Sequence, residues 1–285
     1  MYGCSGTYTP WLTKENPGYI DHTENAPRRD ICFKMADSDD EPITLSAHAL
    51  DALKDFYTDR DARAKQFEQL RAEAEQRAAS GGGGAAESTL KYPLSMEAFG
   101  EDWNESQFWY SDETATLLAK QLLNGATAET KIAVVSAPSV FIALKNILAS
   151  YPADAPRPAL TLLEHDNRFA VFHEFVFYDF KQPMKLPAAL EKSIDRIICD
   201  PPFLSEDCQT KAALTVRWMS KSTDSRLIVC TGERMETLVT KLYQSFGLKT
   251  TDYEPVHARG LSNEFFCYAN VETEKWKWRP ESGSH

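Results

Sequence analysis

The six cysteines of this 285-residue chain, Cys4, Cys32, Cys199, Cys208, Cys230 and Cys267, include no C-x-x-C pair. That absence argues against a disulfide framework and a zinc site, and for a reducing compartment, with the cytoplasm as the default. Cys199, Cys230 and Cys267 sit inside apolar runs, where a free cysteine behaves as a small hydrophobe. No stretch approaches the length of a membrane span, and the polar N-terminus lacks an apolar signal core. Lysine and arginine form no basic block, and the net charge is −11. Such a chain repels phosphate backbones at long range, which disfavours nucleic acid as a bulk partner and suits a basic protein. There is no internal repeat. What the sequence does have is 42% hydrophobic residues, enough for one good-sized core with an appendage.

Four regions follow from composition. Residues 1–34 are rich in Pro, Gly, Tyr and Thr without periodicity, and are expected to be an unstructured extension ahead of Met35, which resembles an ordinary initiator before an acidic stretch. Residues 35–84 form a helical segment and a glycine linker. Leu45, Ala49, Leu53, Phe56 and Tyr57 fall at helical spacing and predict one apolar face, with Thr44 or Ser46 as a cap. From Asp59 the pattern turns charged, which suits a solvated helix or one serving a partner, and Gly81–Gly84 break it. Residues 85–272 carry apolar runs at 131–136, 160–164, 174–178, 195–199 and 226–230, mostly separated by helical or loop segments, with further strands expected at 248–253 and 264–271. Their continuous apolar character predicts strands buried on both faces of a mostly parallel sheet, a doubly wound α/β domain. Pro138 opens one helix and Gly247 ends another expected over 234–246. Residues 273–285 read as a loose tail.

Ligands in such sheets bind beyond the carboxyl ends of the strands. The first strand ends in Ser136-Ala137-Pro138-Ser139, without the Gly-x-Gly of a nucleotide loop, though small residues permit close approach and the next helix offers free N–H groups. The second ends in Glu164-His165-Asp166, where either acid can accept ribose hydroxyls and His165 is a packing residue. The third ends in Tyr178-Asp179-Phe180, an acid and rings suited to an adenine. The fourth ends in Asp200-Pro201-Pro202-Phe203. Two prolines cannot continue a ladder, so the chain turns there with an acid and a ring flanking a rigid pair. A carboxylate and a proline carbonyl can then accept the N–H bonds of an amino group. Trp109, Tyr110 and Ser111 precede a helix, capped by Ser111 or Asp112, that can cover a cofactor. The aromatic cluster they share with Trp103 and Phe108 also suits packing.

The tetrapeptide Asp200–Phe203 resembles the (D/N)PP(Y/F) motif of class I, S-adenosylmethionine-dependent amino-group methyltransferases. More closely, Gln107-Phe108-Trp109-Tyr110-Ser111, residues 135–140 (Val-Ser-Ala-Pro-Ser-Val), Arg168-Phe169, residues 200–205 and Asn263-Glu264-Phe265 resemble the elongation factor 1-alpha lysine methyltransferases, once labelled N6-adenine-specific DNA methyltransferase-like. The resemblance runs from about residue 45 to 271. It implies a seven-stranded Rossmann-like sheet with an antiparallel last strand, S-adenosylmethionine as cofactor, no metal, and a lysine ε-amine of the elongation factor as acceptor. Phe203 keeps the ring of the motif and lacks the phenol.

Presenting a neutral lysine at pH 7 costs about 4.6 kcal/mol, which an apolar slot reduces by desolvation. Phe203, Trp109 and Tyr110 can form that slot. Asp200, with a carboxylate pKa near 4, is expected to orient the amine rather than deprotonate it. Asn263 can bond substrate backbone and Glu206 a basic segment, although a turn and a helix cap account for them equally. Two other functions fit the same residues: an adenine-N6 methyltransferase acting on a flipped base, and a binding module that has lost catalysis. The chain is expected to act as a monomer.

Overall fold

Seven strands form one sheet: β1 (Lys131–Val135), β2 (Ala159–Glu164), β3 (Phe175–Phe177), β4 (Arg196–Cys199), β5 (Arg226–Gly232), β6 (Lys249–Thr250) and β7 (Phe265–Ala269). Their spatial order is β3-β2-β1-β4-β5-β7-β6. The first five run parallel, and β7 is antiparallel to both β5 and β6. The computed structural model describes residues 46–79, 93–101, 107–260 and 264–280.

Side-chain alternation along the strands sorts the core into two layers. Ile132, Val134, Ile198, Ile228 and Cys230 face α2 (Asp112–Leu123) and α3 (Pro138–Ala149). Ala133, Val135, Ile197, Cys199, Leu227 and Val229 face the opposite layer, with α4 (Glu206–Met219) and α5 (Glu236–Leu242). Both faces are covered, which is why these strands read as continuous apolar runs. Ser111 caps α2, its hydroxyl accepting from the Thr114 N–H at 3.2 Å, and Pro138 stands in the first turn of α3. β1 lies between β2 and β4, so the connections leave it in opposite directions and open a crevice at the carboxyl ends of these strands.

Four expectations need correction. The long helix α1 (Ala47–Ala79) exists, but Leu53, Phe56 and Tyr57 on its expected apolar face are exposed. It docks through Phe67 and Leu70 in the half that read as solvated, with the Phe67 ring edge-on to Phe99 at 5.9 Å. The helix expected over 234–246 is broken into α5 flanked by tight turns at Glu233–Met235 and Gln244–Phe246. The Thr240 hydroxyl donates to the Glu236 carbonyl at 2.8 Å, a local bond that competes with the helix ladder, and Gly247 ends the segment at φ 69°. The strand expected at 248–253 shrinks to β6, and Thr251 just beyond it bridges to Trp278.

That pairing is the fourth correction: residues 276–279 are not loose. Trp276 is buried and its indole donates to the Val271 carbonyl at 2.8 Å. The Arg279 N–H donates to the Thr250 carbonyl at 2.8 Å, and its guanidinium stands 3.9 Å from the Phe266 ring centre. The segment thereby covers the outer edge of β6, which would otherwise present unpaired backbone groups. The expectations for residues 1–34 and the glycine run lie outside the described residues.

Candidate active site

The Asp200 N–H donates to the Val135 carbonyl at 3.0 Å, so the β1–β4 pairing reaches the first residue of the motif. Pro201 and Pro202 then stop it. The turn is fixed from behind by Gln209 of α4, a buried amide that donates to the Phe203 carbonyl at 3.1 Å and to the Thr231 hydroxyl at 3.0 Å. Ser205 caps α4, accepting from the Cys208 N–H. A cavity of about 770 Å³ opens in front of this turn, a size that fits a small-molecule cofactor.

The strand ends read from the sequence converge on this cavity. Ser136, Ala137 and Pro138 border it after β1, Glu164 and Asp166 after β2, Tyr178 and Asp179 after β3, and Asp200, Pro201, Pro202 and Phe203 after β4, with Trp109 and Tyr110 across from them. Ser136 takes φ 53°, a left-handed turn more usual for glycine, so the chain makes the tight turn of a nucleotide loop without one. Ala137 provides no side-chain cap for α3, whose positive end therefore borders the cavity.

The two acids after β2 have different surroundings. Asp166 is tied to Arg168 at 2.6 Å and accepts from the Gln107 amide at 3.0 Å. Arg168 also donates to the carbonyls of Phe99 and Gly100 and to Gln107, which straps the chain on either side of residues 102–106 to the end of β2. Glu164 uses Oε1 to accept from the N–H groups of His165 and Asp166, and Oε2 has no partner among the described residues. Burial pushes the Glu164 carboxyl up to about 7 against the pull of those two N–H groups. The buried Trp109 indole N–H has no acceptor among the described residues.

Asp200 departs from the expectation of an ordinary carboxylate. Burial pushes it up to about 8, opposed by the Tyr110 hydroxyl and reinforced by the charge of Glu164. The Tyr110 hydroxyl donates to Oδ2 at 2.5 Å. His257 packs its ring 5.0 Å from that of Tyr110 and 4.9 Å from Phe265, and burial holds it down to about 4, partly opposed by Glu101, so it is neutral at physiological pH. Phe203 is 41% exposed, with its ring 5.6 Å from Phe180.

Some expected site residues lie elsewhere. Ser111 does not border the cavity: its hydroxyl caps α2 and its N–H donates to the Val256 carbonyl at 2.8 Å. Glu206 is exposed in the first turn of α4, away from the lining. Asn263 lies outside the described residues. The Tyr178 hydroxyl faces Thr215 of α4 at 3.1 Å, so its ring is part of the core beneath the cavity wall. The Asp179 carboxylate accepts from the Lys181 N–H at 2.8 Å and from Gln182 at 3.2 Å, which closes a turn. His257 and Gln209 carried no motif in the sequence. Only the fold brings them to Tyr110 and the turn.

A parallel sheet with a reversed β7, an acid after β2 and an Asp-Pro-Pro-aromatic turn at the crevice together define a methyltransferase of the Rossmann-like class. The family model described as "Probable N6-adenine methyltransferase" matches residues 101–273. Protein-lysine N-methyltransferase EFM5 of Saccharomyces cerevisiae is 38% identical over 248 residues, 82% of this chain and 94% of the yeast protein. EEF1A lysine methyltransferase 1 of Gallus gallus is 37% identical, over 83% of this chain and 97% of the bird protein. The Homo sapiens protein of the same name is 36% identical, over 82% and 95%. The chain belongs to this family of protein-lysine methyltransferases.

Proposed function

We propose that the protein transfers a methyl group from S-adenosylmethionine to a lysine ε-amine of translation elongation factor 1-alpha. The observation that carries this reading is the Asp200 carboxyl at the cavity, with Oδ2 held by Tyr110 and Oδ1 without a partner among the described residues. Relatives named for this activity, similar over nearly their full length, supply the substrate. The cavity is built from one chain, which is the form proposed to act. The four described cysteines are free and buried, in keeping with a reducing compartment such as the cytoplasm.

When bound, S-adenosylmethionine supplies a methyl group on a sulfonium cation, which a neutral amine displaces while the bond pair stays with the sulfur. The residues present fit it. Glu164 Oε2 suits the ribose hydroxyls, the α3 N-terminus a carboxylate, and the Trp109 N–H an acceptor. Asp166, engaged with Arg168, shapes the wall instead. Tyr178 and Asp179 form the wall where an adenine would lie. Phe203 and Phe180 flank the aliphatic stem of the lysine at the mouth, and Asn263 and Glu206 remain candidates for the surrounding substrate segment.

In its ionised form, whose fraction grows as pH rises toward about 8, Asp200 takes the proton. Moving it from a lysine of pKa 10.4 to an unperturbed carboxylate is uphill by about 9 kcal/mol, but to Asp200 near 8 by only about 3 kcal/mol. The transfer leaves a neutral acid and a neutral amine, the pair that a buried site favours. The Pro201 carbonyl accepts a remaining N–H and aims the lone pair. Asp200 therefore both orients and deprotonates.

Cofactor affinity follows Glu164. Its charged form accepts ribose hydroxyls best, so the Kd is expected to fall as pH rises through about 7, with proton release on binding. Calorimetry in two buffers of different ionisation enthalpy measures this, and Glu164→Gln should abolish the pH dependence.

The wording of the family model favours one other acceptor, the amino group of adenine. The net charge of −11 opposes it. Incubation with radiolabelled cofactor and either elongation factor 1-alpha or oligonucleotides separates the two. Label on lysine is expected; label on adenine alone would overturn the proposal.

A further inference from the structure

We infer that Tyr110 is a positioning residue for the transfer: its phenol fixes Asp200 so that Oδ1 faces the substrate amine, supplying from another element the hydroxyl that Phe203 lacks. The inference rests on the function proposed above and assigns Tyr110 a role other than cofactor binding. Three contacts hold the residue in place. Its N–H donates to the Ser139 hydroxyl at 3.2 Å, it forms an antiparallel bridge with His257, and its ring packs on that histidine. The neighbours on each side are also fastened, Ala258 N–H to the Trp109 carbonyl and Ser111 N–H to the Val256 carbonyl, both at 2.8 Å. The residue is 3% exposed, and its hydroxyl reaches Asp200 Oδ2 at 2.5 Å. Burial, with Asp200 and Cys230 adding to it, keeps that phenol protonated, so it can only donate to the carboxylate.

The consequence for the proton is specific. With Oδ2 occupied, the ammonium proton passes to Oδ1, the nitrogen keeps the lone pair, and the phenol proton stays on Tyr110. The donated hydrogen bond also favours the charged carboxylate, so it offsets part of the burial and lets Asp200 ionise at a lower pH than burial alone would set. The other titratable groups around Asp200 are Glu164, Cys199, Cys208 and Cys230, with His257 beyond Tyr110, and none of them donates to the carboxylate.

Tyr110→Phe keeps the ring and its packing and removes only the hydroxyl. We expect kcat to fall by about 10- to 100-fold, the size of a hydrogen bond to a charged group, with cofactor Kd nearly unchanged. The acid limb of the pH–rate profile should move to higher pH, because Asp200 then holds its proton more tightly. The carboxyl titration of Asp200, followed by ¹³C NMR in wild type and variant without substrate, reads the pairing directly. A raised midpoint in the variant supports it. An unchanged midpoint, or an unchanged kcat and pH profile in a folded, cofactor-binding variant, overturns it. If the wild type proves inactive on lysine, the functional proposal falls, and the NMR titration still decides whether Tyr110 fixes Asp200.

Discussion

Asp200→Asn should lower kcat by about 10³-fold while cofactor affinity stays nearly the same. Asparagine keeps an oxygen for the Tyr110 hydroxyl and resembles the protonated acid present below about pH 8, so the cavity keeps its shape. It cannot take a proton from the lysine ammonium. Steady-state transfer to elongation factor 1-alpha and calorimetric titration of the cofactor measure the two quantities separately. Activity near wild type would remove Asp200 from the chemistry. The same variant has a stability signature. The folded carboxyl keeps its proton up to about pH 8, whereas an unfolded one loses it near 4. The native state therefore binds the extra proton across that window, and wild-type stability falls as pH rises through it. The substituted amide does not titrate, so this part of the fall should disappear from urea unfolding midpoints measured across the range.

Trp276→Ala should destabilise the fold by about 3–5 kcal/mol, the cost of deleting a buried tryptophan. The side chain is 1% exposed, and its ring lies 6.1 Å from that of Tyr253, whose hydroxyl donates to Thr114 of α2 at 3.1 Å. Losing it removes apolar contacts and leaves the Val271 carbonyl without its donor. Denaturant unfolding would show a lower midpoint with a similar slope. A loss within about 0.5 kcal/mol, as for a surface substitution, would mean that the segment after β7 contributes little to the fold.

The sheet was legible because its central strands carry a period-free apolar pattern that two covered faces require, and because Pro138 and Gly247 punctuate it. The cavity lining was legible at the strand ends: Asp200 with its two prolines, Glu164, and the small residues after β1. Illegible parts depend on contacts distant in sequence. His257 sits 147 positions from Tyr110 and pairs with it across the fold. The raised proton affinity of Asp200 comes from burial, which no local pattern encodes. Between Glu164 and Asp166 the sequence left the proposed ribose ligand open, and nothing local shows that Arg168 engages Asp166. Trp276 and Trp278 read as a tail because two tryptophans among charges carry no strand alternation. Their indole N–H bonds to backbone carbonyls make them an edge. α1 misled by composition: its most apolar stretch faces outward and the sparser Phe67 and Leu70 dock.

The central claim is that this cavity methylates a lysine by way of Asp200. The most direct measurement is peptide mass spectrometry of elongation factor 1-alpha after incubation with S-adenosylmethionine and either the wild-type protein or Asp200→Asn. The account predicts methyl groups on a lysine side chain with the wild type and none with the variant. A folded, cofactor-binding wild type that leaves every lysine of the factor unmodified, or a variant that methylates as well as the wild type, would contradict it.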